Sequence, residues 1–298
     1  MERIVSVIIT TCGREPFILK EAIESVIAQT YHNIEMIIIN DCPEYEKRED
    51  VDYLVHSYGN DITYVVNEKK CGANYSRNLG ANISKGEYIS FLDDDDYWAE
   101  NRLEKVVALL NGDADIVYSD YYIFNEKRKR YIKRFLPNPD RVIETILSEN
   151  FLGGFSNVTF KRSCFDIAGQ LDEDMPSCQD HDLFIRMLQY GQIAYINEGL
   201  CYYRVSANSI SLNNKKKLEG FIMLMEKYSE LYMLYPDSLK FKLESEYVYA
   251  LKQNWNENSM KIRALLKQYD SSAMILFLYS KGTIKRILTN VISAKEKK

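Results

Sequence analysis

The sequence has 298 residues, is 46% hydrophobic and carries a formal net charge of -5. It is long enough for one large domain and a smaller one, but it lacks the basic surface that a general nucleic-acid binder needs. Its six cysteines form no Cys-x-x-Cys pair, its three histidines lack zinc-ligand spacing, and we identify no signal peptide or membrane-spanning run. We therefore expect a cytoplasmic protein with reduced thiols.

Short β-branched and aromatic runs alternate with helical periodicity in the first hundred residues. The predicted strands are residues 4–9, 34–39, 62–66 and 88–92, and the predicted helices include 19–29 and 75–84. Strands that alternate with helices predict βαβ units and a parallel sheet covered on both faces. Ligands of such sheets bind at the carboxyl ends of the strands.

The loops after these four strands are polar. They contain, in chain order, Thr11 and Arg14, then Asp41, then Asn67 and Gly72, and finally the four consecutive aspartates Asp93–Asp96. If the loops converge, the carboxylates and Arg77 would suit a nucleoside diphosphate with its metal. No G-x-G-x-x-G follows the first strand and no G-x-x-x-x-G-K-[ST] occurs, which disfavours dinucleotide dehydrogenases and P-loop enzymes.

The run Asp93–Asp96, here named the acidic tetrad, directly follows an apolar run. Carboxylates this close repel one another and raise one another's pKa, so a positive group should compensate them. A divalent cation held by oxygen ligands is one explanation, and a solvated acidic turn is the other. A calcium loop is excluded because the spacing D-x-[DN]-x-[DN]-G is absent.

Several ordered blocks resemble the inverting family 2 glycosyltransferases of GT-A fold. The blocks are residues 5–11, 39–41, 67–80 and 84–96. The resemblance covers about residues 1–210 and implies an α/β GT-A domain, a Rossmann-like mixed, mostly parallel sheet flanked by helices, over residues 1–211. We expect residues 212–298 to form a helical C-terminal region. The proline common after the family's first strand is Thr10 here, which we expect to alter the loop more than the chemistry.

The resemblance implies a set of donor-binding residues. Asp41 resembles the residue that hydrogen-bonds uracil, Thr11 the backbone position that contacts the base, and Arg77 the basic residue near the diphosphate. The acidic tetrad resembles the D-x-D motif, in which Asp93 and Asp94 face the ribose and the ion, and Asp95 binds Mg²⁺ or Mn²⁺. The position of the metal ligand within the acidic tetrad is open by one residue. The remaining positions of the donor-binding set are Arg14, Asn67, Gly72 and Arg204.

Each assignment has a structural alternative. Asp41 and Gly72 are also residue types that form turns and caps. Arg77 can pair with the acidic tetrad in the absence of ligand, which is compatible with the same role.

The second half should supply the acceptor side and the base. Inverting transfer needs a carboxylate to take the acceptor's proton. Asp180 resembles the aspartate of the family's Glu-Asp motif, with Gln179 in place of the usual glutamate, and is the predicted general base. Asp182 is predicted to cap the helix or to place a negative charge in its first turn, and the same capping role is the alternative for Asp180.

Two loops carry further expectations. Residues 151–157 look like a loop that lets an acceptor sugar approach the backbone, or a plain turn leading into a strand. Ser206 stands where family members often place a histidine. Arg204 or Ser209 could contact the diphosphate instead, although Arg204 could equally brace the fold.

The C-terminal region reads as helical. The predicted helices are residues 215–235, 238–253, 259–268 and 272–292. The apolar stripe on the first of them, which includes Phe221 and Leu224, is typical of a core or a partner contact. The last helix and tail are basic, which leaves open peripheral contact with an anionic membrane, a solvated tail or a homo-oligomer contact.

The sequence therefore predicts a hexosyl- or N-acetylhexosaminyl-transferase that uses Mn²⁺ or Mg²⁺ and a nucleotide-sugar donor, a UDP-sugar. The predicted acceptor is a glycan or a lipid-linked or protein-linked hydroxyl in polysaccharide biosynthesis. The predicted location is the cytoplasm, with peripheral contact at the inner face of the membrane left open. A catalytically silent sugar-nucleotide-binding module is the alternative, against which the intact D-x-D and Asp180 argue. A nucleotidyltransferase would show a glycine- and lysine-rich N-terminal loop.

Overall fold

The computed structural model describes residues 3–205 and 214–269. Within them the chain divides into two compact units, of which the first comprises residues 3–136, 151–173 and 183–205. The second comprises residues 137–150, 174–182 and 214–269. The predicted domain boundary at residue 211 lies outside the described residues and stays a prediction.

Strands of the first unit form one mixed sheet. They are β1 (Val5–Thr11), β2 (Ile34–Asn40), β3 (Ile62–Val66), β4 (Tyr88–Asp93), β5 (Tyr97–Trp98), β6 (Ile116–Phe124), β7 (Lys129–Ile132), β8 (Val158–Lys161) and β9 (Ile193–Arg204). Their order is β3-β2-β1-β4-β8-β6-β9-β5, with β7 paired to β6 off this path. The pairs among β1, β2, β3 and β4 are parallel, and β8 runs antiparallel to β4 and β6.

Helices occur in both units. They are α1 (Pro16–Ile27), α2 (Arg48–His56), α3 (Ala73–Ile83), α4 (Arg102–Leu110), α5 (Val142–Ser148), α6 (Arg162–Ile167), α7 (Gln179–Met187), α8 (Asn214–Lys227), α9 (Ser229–Leu234), α10 (Pro236–Lys252) and α11 (Asn256–Tyr269). The helices α1–α4 and α6 belong to the first unit, and α5 and α8–α11 belong to the second. The residues of α7 up to Asp182 belong to the second unit.

The burial of the central strand β1 explains its apolar sequence. Val5, Val7, Ile8 and Ile9 of β1 are all fully buried, so the strand reads as a nearly continuous apolar run instead of an alternating one. A Cβ atom on Gly80 would lie 2.5 Å from Ile8 Cγ2, so only glycine lets α3 pack this closely on the sheet. This contact holds α3 against the strands that carry the polar loops.

Two elements differ from the sequence-based prediction. Helix α2 was not predicted, because only Val51 and Val55 of its nine residues are buried and the apolar pattern is correspondingly weak. The helix predicted over residues 215–235 is instead two helices, α8 and α9, that meet at Tyr228. The Tyr228 hydroxyl donates to Asp182 Oδ1 at 2.7 Å, a contact that spacing along the chain does not reveal.

The second unit buries the predicted stripe. Phe221, Leu224, Met225 and Tyr228 are each less than a tenth exposed, as a core-facing helix requires. None of the helices within residues 3–205 and 214–269 combines the length and the apolar character needed to cross a membrane. The predicted helix 272–292 and the basic tail lie outside the described residues.

Candidate active site

The polar loops meet at one edge of the sheet. In the parallel register Thr11 lies opposite Asn40, and Thr10 lies opposite Asp93. The backbone N–H of Asp41 donates to the Thr11 carbonyl at 2.8 Å, which continues the ladder one residue past β2. The first unit therefore brings the predicted site residues of its first, second and fourth loops to the same edge.

Asp41 organises the loop after β3. Asp41 is 3% exposed, and its Oδ1 accepts from Asn67 Nδ2 at 2.7 Å and from the Cys71 N–H at 2.8 Å. Its Oδ2 accepts from the N–H of Gly72 at 2.8 Å, where the backbone has φ +100° at the start of α3. A carboxylate has about four acceptor positions. These three donors leave capacity for one donor from a ligand, so turn-forming and ligand-binding roles are compatible. We name these residues the Asp41 pocket.

Two arginines pair with the acidic tetrad. Arg77 Nη2 lies 2.6 Å from Asp93 Oδ1, and the Arg77 guanidinium packs 4.4 Å from the centroid of the Phe155 ring. Arg14 Nε donates to Asp94 Oδ1 at 2.8 Å, and its Nη2 lies 2.9 Å from Asp95 Oδ2. The predicted pairing of Arg77 is therefore present, and Arg14 pairs in the same way.

Burial leaves the acidic tetrad poorly compensated. Burial raises the pKa of Asp94, although the charge of Arg14 and a hydrogen bond from Thr11 both oppose the shift. Burial, followed by repulsion from Asp94, raises the pKa of Asp95 to about 6. Burial and the charges of Asp93 and Asp95 raise the pKa of Asp96 well above its usual range. The Oδ2 atom of Asp96 is buried without a hydrogen-bond partner among the described residues. The site thus favours an additional positive charge.

Comparison with known proteins identifies the family. The family model described as glycosyl transferase family 2 matches residues 6–166. The chain belongs to glycosyl transferase family 2. An uncharacterized glycosyltransferase of Haemophilus influenzae is 30% identical over 214 residues, which cover 69% of this chain and 71% of the relative. The putative colanic acid biosynthesis glycosyl transferase WcaA of Escherichia coli is 27% identical over 236 residues, which cover 76% and 82%.

A solved structure establishes the fold. The chain superposes on Staphylococcus aureus TarS 1–349, in complex with UDP-GlcNAc, with a TM-score of 0.62 and 15% sequence identity. The match covers 99% of this chain and 92% of TarS 1–349. The predicted family, the α/β GT-A fold with its helical C-terminal region and the assignment as a glycosyltransferase are confirmed.

The acidic tetrad of this glycosyltransferase fits a divalent cation by its chemistry. Carboxylate oxygens are the ligands that Mg²⁺ and Mn²⁺ prefer, and burial together with repulsion from neighbouring aspartates raises the pKa values of Asp95 and Asp96. No group of three or more His, Cys, Asp or Glu side chains is already arranged as a metal site within residues 3–205 and 214–269. Instead, Arg14 and Arg77 lie against carboxylate oxygens of Asp93, Asp94 and Asp95.

Ser156 supports the acidic tetrad, although the sequence placed it only within the candidate acceptor loop of residues 151–157. Its Oγ accepts from the Asp93 N–H at 3.1 Å, and its carbonyl accepts from Trp98 Nε1 at 2.7 Å. Residues 155–157 form a short 3₁₀ turn before β8, so the geometry matches a turn leading into a strand. A serine in such a turn carries no periodic signal. Phe155, which packs on Arg77, belongs to the same loop of residues 151–157.

Arg204 braces the same region. Its Nη2 pairs with the Glu21 carboxylate, its Nε donates to the Asp95 carbonyl at 3.0 Å, and its backbone N–H donates to Asp96 Oδ1 at 2.9 Å. The guanidinium also packs 4.5 Å from the centroid of the Phe124 ring. These contacts fit the bracing alternative, and the diphosphate role of Arg204 stays a prediction. Ser206 and Ser209 lie outside the described residues.

The second unit fixes the predicted base at the start of α7. Asp180 Oδ2 accepts from Asn150 Nδ2 at 3.1 Å, and its Oδ1 accepts from the His181 N–H at 2.8 Å. Asp182 is fully buried and pairs with Lys227 at 2.8 Å as well as with Tyr228. Asp182 is therefore structural, whereas Asp180 is a partly exposed carboxylate held in one orientation.

His181 is a buried neutral group beside Asp180. Its Nε2 lies 2.5 Å from the Ile146 carbonyl, so that nitrogen carries the proton, and its Nδ1 lies 3.5 Å from Lys242 Nζ. Burial, followed by the charge of Lys242, lowers the pKa of His181 to about 3. The histidine therefore stays neutral at physiological pH and anchors α7.

Proposed function

We propose that this glycosyltransferase moves a sugar from a UDP-sugar to a hydroxyl of a glycan, lipid-linked or protein-linked acceptor, with inversion and with Mn²⁺ or Mg²⁺. The observation that carries the proposal is the presence of the Asp41 pocket and the acidic tetrad at one edge of the sheet. The Asp41 carboxylate can accept one more hydrogen bond, from the nucleobase of the donor. The carboxylates of the acidic tetrad need additional positive charge, which the metal ion of a metal–nucleotide complex supplies.

The donor class follows from the Asp41 pocket. The remaining acceptor capacity of Asp41 suits an N–H donor such as that of uracil, in a pocket where hydrogen bonds fix the carboxylate. Asn67 and Gly72 donate to this carboxylate, and the Thr11 carbonyl accepts from the Asp41 N–H. The TarS structure contains UDP-GlcNAc, which supports testing UDP-sugars first. The name of the Escherichia coli relative supports a glycan acceptor in polysaccharide biosynthesis.

The reaction is a single displacement at the anomeric carbon. The acceptor oxygen forms a bond to that carbon as the bond to the UDP oxygen breaks, and Asp180 takes the proton of the acceptor hydroxyl. Asp180 is restrained by Asn150, so its carboxylate is presented in a fixed orientation. Arg77 donates to the diphosphate, and Asp95 with Asp93 would hold the cation. When bound, the cation supplies Lewis-acid stabilisation of the leaving diphosphate.

The cellular setting follows the sequence-based prediction. We propose a cytoplasmic location with peripheral contact of the basic C-terminal segment at the inner face of a membrane. Residues 270–298, which contain this segment, lie outside the described residues.

The test is transfer or hydrolysis with a panel of nucleotide sugars, each with Mn²⁺, Mg²⁺ or EDTA. We expect turnover with a UDP-sugar and a divalent cation. Asp95→Ala should lose the response to metal, and Asp180→Asn should lose turnover while it still binds UDP. Asp113→Asn, which removes an exposed carboxylate from a loop, is the control and should match the wild type. Equally low activity in the wild type and all variants would indicate the silent binding module.

A further inference from the structure

Arg14 supplies the acidic tetrad with an internal cation. Its Nε lies 2.8 Å from Asp94 Oδ1, and its Nη2 lies 2.9 Å from Asp95 Oδ2, so one guanidinium spans two separate carboxylates. Asp95 is also the predicted metal ligand. Arg14 therefore places its positive charge against an oxygen that a divalent cation would use.

The charge balance shows why an internal cation is needed. Three carboxylates, those of Asp93, Asp94 and Asp95, contact the guanidinium groups of Arg14 and Arg77, and the side chains of Asp94 and Asp95 are only 7% and 16% exposed. Ionised carboxylates buried to this extent destabilise a fold unless they are paired. Arg14 lowers this cost in the absence of ligand, and any cation that binds must replace what Arg14 contributes.

Arg14 and Arg77 differ in how firmly each is held. Arg77 lies on α3 with its side chain 8% exposed and packed on the Phe155 ring. Arg14 lies in the short segment between β1 and α1, next to Gly13 at φ +67°, and its side chain is 28% exposed. Arg14 is therefore the arginine that can leave the carboxylates without breaking a packed helix.

We propose that Arg14 competes with the divalent cation for the acidic tetrad and exchanges its carboxylate partners for the diphosphate when the donor is loaded. This inference rests on the proposed function, because it requires a metal and a nucleotide diphosphate at this site. The planar fork of arginine matches phosphate oxygens as well as carboxylates, so the exchange conserves its hydrogen bonds. Metal and nucleotide then bind cooperatively: the metal replaces Arg14 at the carboxylates, and the diphosphate of the nucleotide becomes the new partner of Arg14.

Loss of Arg14 should change the protein's affinities for Mn²⁺ and for UDP in opposite directions. The apparent affinity for a metal alone is reduced by the fraction of molecules in which Arg14 blocks the carboxylates, so Arg14→Gln should bind Mn²⁺ alone roughly tenfold more tightly or better. The same variant should bind UDP more weakly at saturating Mn²⁺, because one diphosphate partner is lost. A residue with only a structural role would weaken both when removed.

The experiment is titration calorimetry of the full chain with MnCl₂ alone and then with UDP at saturating Mn²⁺. Arg14→Gln is compared with the wild type and with Arg48→Gln, which removes an exposed arginine at 3.4 Å from Asp52 on α2. We expect tighter Mn²⁺ and weaker UDP binding only in Arg14→Gln. Mn²⁺ binding in Arg14→Gln that is equal to or weaker than in the wild type would overturn the proposal.

A second variant guards against misfolding, which circular dichroism detects. Arg14→Lys keeps the charge but reaches one carboxylate instead of two, so its affinity for Mn²⁺ alone should lie between those of the wild type and Arg14→Gln. A lysine variant that binds Mn²⁺ no more tightly than the wild type would also count against the exchange.

The outcomes separate this inference from the proposed function. If the wild type binds Mn²⁺ with UDP but removal of Arg14 does not tighten Mn²⁺ binding, the exchange is wrong and the metal-dependent donor site stands. If the wild type binds no Mn²⁺ even with UDP, the metal dependence itself is wrong, and the exchange fails with it.

Discussion

The Asp41 pocket and the acidic tetrad share one edge of the sheet but differ in how their charge is compensated. Three donors hold the single carboxylate of Asp41, and two of them are backbone N–H groups fixed at the start of α3. The acidic tetrad has four carboxylates, raised pKa values at Asp94, Asp95 and Asp96, and a buried Asp96 oxygen without a partner among the described residues. The protein's own donors compensate the charge of the first region, whereas they compensate that of the second region only in part.

This difference has an energetic consequence. Removing a carboxylate should change the free energy of unfolding in opposite directions in the two regions. The Asp41 carboxylate contributes hydrogen bonds to the fold, whereas a carboxylate of the acidic tetrad adds repulsion. Under the proposed function, the Asp41 pocket would make donor binding selective, and the acidic tetrad would make donor binding depend on the cation.

The largest effect is expected for Asp41→Ala. The variant leaves Asn67 Nδ2 and the N–H groups of Cys71 and Gly72 without their acceptor, and unpaired buried donors are costly. We expect a loss of about 3 kcal/mol in the free energy of unfolding and no detectable UDP binding. Urea denaturation and calorimetry check this, with Asp61→Ala as an exposed control. Wild-type stability in Asp41→Ala would show that the pocket is not preorganised by this carboxylate.

His181 provides a contrast from the second unit, where a titratable group is buried in its neutral form. Its pKa is lowered from 6.5 to about 3 by burial and Lys242, so below pH 6.5 the unfolded chain binds a proton that the folded chain does not. Stability present above pH 6.5 is therefore lost as the pH falls towards 3. Between pH 6.5 and pH 5 the loss should reach about 2 kcal/mol.

The check is urea denaturation of the wild type and His181→Asn at a series of pH values. The facing charged group is Lys242, whose partner Glu246 is 3.8 Å away on the same helix, and Asp180 precedes His181 in the chain. His181→Asn should be less stable at pH 7 but should lose this part of the pH dependence. Parallel stability curves for the two proteins would contradict the buried neutral histidine.

A smaller effect of opposite sign is expected for Asp95→Asn. The substitution removes a charge that burial and Asp94 disfavour, so the ligand-free protein should gain about 1 kcal/mol, even after loss of the Arg14 contact. Activity should fall sharply, since the predicted metal ligand is gone. Thermal melts in EDTA and a transfer assay test the two effects together. A less stable ligand-free Asp95→Asn would remove the contrast with Asp41.

Ser156→Ala should have an effect on stability of similar size to Asp95→Asn, but a smaller effect on activity. Loss of the acceptor for the Asp93 N–H should cost about 1 kcal/mol. Because Ser156 positions the tetrad without being a predicted ligand, KM for the donor should change more than kcat. Steady-state kinetics with Ser57→Ala, an exposed serine, as the control measures this, and a pure loss of kcat would argue against a supporting role.

Local sequence features predicted the framework of the site. The strands that carry Thr11, Asp41 and Asp93 were predicted from apolar runs that burial on both faces requires. The contacts of Ser156 and the break at Tyr228 depend on partners far along the chain, and no local pattern encodes them. Asp41 was identified from the resemblance, whereas its three donors became visible only in the structure.

The central claim is that the acidic tetrad is completed by a divalent cation together with the diphosphate. Its most direct test is the affinity of the wild-type protein for UDP in Mn²⁺ and in EDTA, with Asp95→Ala alongside. We expect UDP to bind at least about tenfold more tightly with Mn²⁺ in the wild type and equally in both buffers in Asp95→Ala. Equal UDP affinity of the wild type in Mn²⁺ and EDTA would contradict the account.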